Sequence, residues 1–270
     1  GFNNPKGLYR SNNVDIILTG DSMTQGQCVN HDENIGSWIR KSGFHTISLG
    51  KGANGPLIEY ATLVEYAQPI KPKTVFWVFY ENDITNLKNE VNSMFLRNYL
   101  DNSYYSQNLI SRQNEIDSLL KIFYQDPLET KKSIMIRNEL IKTIKLTNIR
   151  SISNITPKIN PVVFKNILFR TKELVSSWGG NLYFVYIPSI FSISNSKKYP
   201  YREKILNFIS EQSIPIIDIQ KEVIAMHPDP LSLFPFRNAM HYNADGYRLI
   251  AEAITERLKA DGIIPLNSIN

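Results

Sequence analysis

The sequence predicts a three-layer α/β/α fold: a doubly wound parallel sheet of about five strands, with a helical insertion. Two observations carry this. Five short, apolar, β-branched runs recur along the chain, at Val14–Leu18, Thr46–Leu49, Thr74–Tyr80, Asn181–Ile187 and Ile214–Ile219. Mostly hydrophobic runs of this length are what strands buried on both faces require. Helical patterns lie between most of them, and strands alternating with helices imply parallel βαβ units. Ligands in such sheets bind beyond the carboxyl ends of the strands, so those ends are where functional residues are sought.

Taken in order, the first run leads straight into Gly20-Asp21-Ser22-Met23-Thr24-Gln25-Gly26, which sets Ser22 where a strand gives way to a tight turn. The second run leads into Gly50-Lys51-Gly52-Ala53-Asn54-Gly55, and Pro56 then opens a helix over Leu57–Gln68. The third run ends at Glu81-Asn82-Asp83. From about Asn86 to Ser177 the chain is far longer than one crossover helix needs, so residues 86–177 are read as an insertion. Its segments Gln113–Gln125, Leu128–Leu146 and Pro161–Ser177 read mostly as helix. Two roles stand level for it: a helical cap that completes the core, or a lid over the site. Tyr201–Gln212 reads as an amphipathic helix, and Ala244–Ala260 as a terminal one capped by Asn243.

With 270 residues, 42% hydrophobic and 20% charged, the chain has the make-up of one globular domain spanning 1–270. Its 30 basic and 25 acidic residues are scattered rather than clustered, so no nucleic-acid footprint is indicated. No stretch approaches the roughly 18 consecutive apolar residues of a membrane helix. The first residues have no signal-peptide layout, and because the chain starts at Gly1 rather than Met an upstream signal or anchor stays open. The compartment, cytoplasm or cell envelope, is therefore undetermined. Cys28 is the only cysteine, which excludes an internal disulfide and any multi-cysteine metal site; it is expected to be a small buried residue. His31, His45 and His227 form no metal-ligand spacing with one another.

Each candidate site feature has a bland counterpart. Gly-Asp-Ser alone is about as often only a polar turn, Asn-Asp after a strand is usually a helix cap, and His241 before a helix suits a surface position. Their joint occurrence, in order and each at a strand end or helix start, resembles the GDSL or SGNH hydrolase superfamily. Gly20, Asp21, Ser22 and Gly26 match its first block, with Met23 where Leu is usual. Leu49-Gly50-Lys51-Gly52 matches the second, Asn82-Asp83 the third with Tyr80 in place of glycine, and His241 the last.

The resemblance implies a flavodoxin-like sheet and acyl transfer through an acyl-serine. Ser22 is then the nucleophile, His241 the general base and acid, and Gly52 N–H and the Asn82 amide the oxyanion donors, with Gly50 or Ala53 as the fallback for Gly52. It implies hydrolysis of a small-molecule or glycan ester with no metal or organic cofactor. An O-acyltransferase working on envelope polysaccharide and a catalytically silent carbohydrate-binding protein remain as alternatives. The family's acid three residues before the histidine is replaced by Asn238, leaving Asp229 as the only acid in the preceding loop and the first candidate for a displaced third member. Asp21 is expected to brace the turn, and Tyr242, Tyr247 and Trp77 to be core. Tyr80, beside the oxyanion residues, is expected to narrow the acyl pocket or to donate a hydrogen bond.

Overall fold

A computed structural model of the chain describes residues 2–10, 14–125, 161–194 and 199–265. Five strands, β1 (Ile16–Gly20), β2 (Thr46–Ser48), β3 (Thr74–Tyr80), β4 (Asn181–Ile187) and β5 (Ile216–Asp218), form one sheet in the order β2-β1-β3-β4-β5. All four pairings are parallel. This is the flavodoxin-like order, in which the strand sequence reverses direction at β1 and β3 and opens a crevice above their carboxyl ends. The expected strands are all present. β1 alone is displaced, running two residues further because Thr19 and Gly20 continue the pairing with Trp77 and Val78.

The helices that matter below are α1 (Ser22–Gln25), α2 (Ile35–Lys41), α3 (Pro56–Thr62), α4 (Asp83–Glu90) and α5 (Met94–Asp101). They are followed by α6 (Gln113–Gln125), α7 (Pro161–Ser177), α8 (Ile190–Ser194), α9 (Arg202–Glu211), α10 (Ile219–Glu222) and α11 (Ala244–Ala260). Asn243 caps α11 by accepting the Gly246 N–H (3.0 Å). The helix expected over Leu57–Gln68 changes pitch: after α3 it widens into a π-turn at Leu63–Ala67, where Gln68 N–H reaches back to Leu63 O. None of the helices among the described residues is long and apolar enough to cross a membrane.

Alternation along the strands feeds both faces of the sheet. Ile16, Leu18, Phe76, Val78, Tyr183, Val185 and Ile217 join Ile35 and Ile39 of α2 and Tyr247, Ile250 and Ile254 of α11 in one buried cluster. On the other face Trp77 and Phe79 meet Phe164 of α7, with ring centroids 6.3 and 5.7 Å apart. Fully buried aromatic and branched side chains of this kind each contribute about 2–3 kcal/mol. Trp77, Tyr242 and Tyr247 are all core, as expected from the sequence.

The chain divides into two compact units, Gly1–Tyr105 with Asn160–Asn270, and Ser106–Ile159. Helix α7 belongs to the first, where it packs on the sheet. The described part of the second includes α6, and Arg112 ahead of it pairs with Glu115 (2.8 Å). The helix expected over Leu128–Leu146 lies outside the described residues.

Candidate active site

Ser22 opens α1 directly after β1. Gly20 makes the turn possible: its φ is +155°, and a Cβ there would lie 2.5 Å from the Val78 carbonyl oxygen and 2.1 Å from Thr24 Oγ1. Only a residue without a side chain fits. Asp21 caps the short helix, its Oδ1 accepting the Met23 N–H (2.8 Å), so it braces the turn. Gly26 closes α1 in the left-handed conformation, φ +79°.

His241 reaches the same point from the far end of the chain. Its Nε2 lies 2.8 Å from Ser22 Oγ, across 219 residues of sequence, and Asp21 Oδ2 lies 3.2 Å from the same hydroxyl. Burial pushes the His241 pKa below its ordinary value, and the Asp21 carboxylate acts in the opposite sense. The imidazole is thereby biased toward its neutral form, the one that takes up a proton. The loop carrying His241 is pinned by neighbours of Ser22 and β3. Tyr80 Oη donates to the Met240 carbonyl (3.0 Å), Tyr242 Oη to Pro188 O (2.9 Å), and Tyr247 Oη to Gln27 O (3.0 Å). Of the two roles expected for Tyr80, the donor role is the one seen: its hydrogen bond aims the histidine loop.

Of the two other sequence candidates, Gly52 also lies against Ser22. A Cβ added to Gly52 would come within 3.7 Å of Ser22 Cβ, so the glycine backbone lies directly beside Ser22. The Gly52 N–H donates to Gln25 Oε1 (2.7 Å). Asn82 caps α4 through its backbone carbonyl, which accepts from Thr85 and Asn86, while its side chain makes no capping bond and its Oδ1 is buried without a partner among the described residues. The amide is thus not spent on the helix.

Asp229 requires a correction. Both its oxygens are taken by Arg237, at 2.6 and 2.8 Å, in an exposed pair, and that guanidinium holds its carboxyl below the usual range. It makes no hydrogen bond to His241. Asn238 is exposed, and no described side chain bonds His241 Nδ1. The sequence singled out Asp229 because it was the only nearby acid, but Arg237, eight residues on, is the better partner for it. Cys28 is a second correction: it is exposed, with φ +73°. Leaving the αL cap at Gly26, the chain turns Cys28 outward rather than into the core.

Sequence reasoning missed the supports of this site. Glu90 of α4 accepts the N–H groups of Gly55 (2.6 Å) and Leu57 (3.0 Å), and Asn86 donates to Asn54 O (3.1 Å). One helix therefore carries Asn82 at its start and clamps the Gly52 loop with its later turns. The signal was present as Asn82, Asn86 and Glu90 at four-residue spacing, one stripe of a helix. Beneath them Glu59 is fully buried, its Oε2 accepting the Trp77 indole N–H. Glu59 Oε1, Asp83 Oδ1 and Thr24 Oγ1 are buried without partners among the described residues. Burial and the neighbouring carboxylates hold both Glu59 and Asp83 well above the ordinary carboxyl range. No group of His, Cys, Asp and Glu among the described residues is arranged to hold a metal.

No protein-family model matches the sequence, and no curated protein matches it significantly. Solved structures do. A member of the lipolytic protein G-D-S-L family from Veillonella parvula superposes with a TM-score of 0.51 at 14% identity, over 91% of this chain and 98% of that one. An acetyl xylan esterase gives 0.51 at 12% identity, over 91% and 100%. A lipase/acylhydrolase from Enterococcus faecalis gives 0.51 at 13%, over 92% and 96%. The chain shares their three-layer α/β/α fold.

Proposed function

We propose that this chain, folded like the GDSL hydrolases, is a serine-dependent ester hydrolase that removes small acyl groups from a carbohydrate or similar ester. The observation that carries the reading is the 2.8 Å contact between His241 Nε2 and Ser22 Oγ at the carboxyl edge of the sheet. A serine hydroxyl is a weak nucleophile until a base stands within this distance. The solved structures with the same fold include an acetyl xylan esterase and a lipase/acylhydrolase, which supports ester chemistry.

In this mechanism Ser22 Oγ attacks the acyl carbon while His241 takes its proton. The carbon–oxygen bond to the alcohol then breaks, His241 returning the proton to the leaving oxygen. Water, deprotonated by His241, next attacks the acyl-serine and frees the acid. The oxyanion formed in each half is held by the N–H groups of Ser22 and Gly52 and by the Asn82 amide, each such donor contributing about 3 kcal/mol. Asp21, the anion that acts on His241, stabilises the imidazolium from the Ser22 side. These steps need no metal or organic cofactor.

One observation favours a second reading. His241 Nδ1 lacks a carboxylate partner among the described residues, and losing that partner cost a serine protease about ten-thousand-fold in rate. A slower transferase, with a sugar hydroxyl in place of water, or a silent carbohydrate-binding protein fits the same residues. The test is release of p-nitrophenol from acetate, butyrate and octanoate esters by the wild type and Ser22→Ala, with labelling by a fluorophosphonate probe alongside. Turnover and labelling that both vanish in folded Ser22→Ala support the hydrolase. Labelling without turnover, and with acyl transfer to an added polysaccharide, points to the transferase; neither labelling nor turnover points to the silent binder.

A further inference from the structure

The Gly52 N–H, an oxyanion donor in the reading above, is already occupied. Gln25, one turn after Ser22 on α1, places its Oε1 2.7 Å from that nitrogen. The assignment of the amide is fixed by chemistry, because a backbone N–H is a donor and only the carbonyl oxygen of Gln25 accepts from it. The side chain starts from an anchored backbone: Gln25 N–H donates to Asp21 O (3.0 Å), and Asn3 Nδ2 donates to Gln25 O (2.8 Å). The Gly52 backbone it bonds lies against Ser22, so the carboxamide stands beside the nucleophile rather than at a remote surface.

Resting on that reading, we infer that Gln25 is a specificity-determining residue whose carboxamide competes with the substrate for the Gly52 donor. Its Oε1 is a neutral sp² acceptor, like the carbonyl of a bound ester. Exchanging one neutral acceptor for the other gains the ground-state complex little. The tetrahedral intermediate is different, because its oxygen is charged, and charge-assisted hydrogen bonds are roughly twice as strong as neutral ones. Gln25 therefore yields to the oxyanion more readily than to the ester carbonyl. The Gly52 hydrogen bond is thus gained on reaching the transition state and withheld from the bound substrate, which raises KM and leaves kcat little changed. It also discriminates by acyl group: an ester whose carbonyl sits poorly in the site cannot displace the carboxamide and is rejected.

The test uses the whole chain and the phosphate triester diethyl p-nitrophenyl phosphate, whose phosphoryl oxygen enters the oxyanion site as Ser22 Oγ–P forms and p-nitrophenolate leaves. Second-order rates are measured for the wild type, Gln25→Ala, Gln25→Met and Gln25→Glu, beside kcat/KM for p-nitrophenyl acetate. Met keeps the length of the side chain without its acceptor, which covers the case in which Ala alone fails to fold. Freeing the Gly52 N–H removes one net hydrogen bond from the resting state, so Ala and Met should raise both rates about 2- to 10-fold, chiefly through a lower KM for the ester. Glu, a charged acceptor on the same N–H, should lower them at least about 10-fold.

Unchanged rates in Ala and Met would overturn the inference. So would a fall of about 100-fold or more in kcat, the size expected of a lost oxyanion donor, which would make the Gln25 amide itself one. If the wild type is not phosphorylated and Ser22→Ala turns over as well as it does, the acyl-serine reading has failed instead.

Discussion

Replacing Glu59 by Gln should flatten the pH dependence of folding stability. Glu59 is completely enclosed, with one oxygen on the Trp77 indole and the other unpartnered among the described residues. Burial first, then the Asp21 and Glu90 carboxylates, hold its pKa well above the ordinary value; Asp83 is raised in the same way, by burial and then by Glu59 and Asp21. The folded protein thus keeps a proton that the unfolded chain releases above about pH 4.3. Stability from this group is fully present below that pH and falls as pH rises, until the folded value is passed. Inside the window the slope is about 1.4 kcal/mol per pH unit for one retained proton. Each pH unit inside it corresponds to about 3 to 5 °C in Tm for a chain of this size. Gln has no proton to lose and still offers Trp77 an acceptor. Urea unfolding at three pH values across that window measures both slopes; the variant should lose less stability with rising pH, and gain on the wild type at the alkaline end. Parallel lines, with the Glu59→Gln protein uniformly less stable, would mean that Glu59 is ionised in the fold and would refute the reasoning.

Three further outcomes are expected. Asp229→Ala should leave esterase activity within about two-fold of the wild type and the urea midpoint little changed, because it breaks only an exposed, solvent-screened pair with Arg237; steady-state kinetics and urea unfolding check both. Tyr80→Phe removes the bond to the Met240 carbonyl and should lower kcat several-fold with KM little changed, since the histidine loop loses its aim and the substrate loses no contact. The acid limb of the kcat/KM profile should lie below the ordinary histidine value, because burial lowers the His241 pKa; Asp21→Asn should move it lower still, by removing the one anion that raises it. A limb that moves up in Asp21→Asn would show that Asp21 does not act on His241 as a charge.

The scaffold was legible in the sequence, and so were the candidates for the reacting groups. Buried parallel strands are legible because a strand covered on both faces must be apolar along its length, and all five of them appear in the fold. Ser22, Gly52, Asn82 and His241 are legible because a strand end or helix start fixes where each must lie, and the order 2-1-3-4-5 brings the ends of β1, β2 and β3 together. Tertiary structure alone decided the partnerships. Asp229 is the nearest acid to His241 along the preceding loop yet spends its charge on Arg237, because ion pairing follows distance in space and not in sequence. Tyr80 meets Met240 across 160 residues, Glu90 clamps the loop after β2 from 33 and 35 residues away, and Gln25 takes the Gly52 N–H from 27. Side-chain hydrogen bonds are short-ranged and directional, with no periodicity along the chain, so they become readable only once the backbone has placed donor and acceptor within about 3 Å.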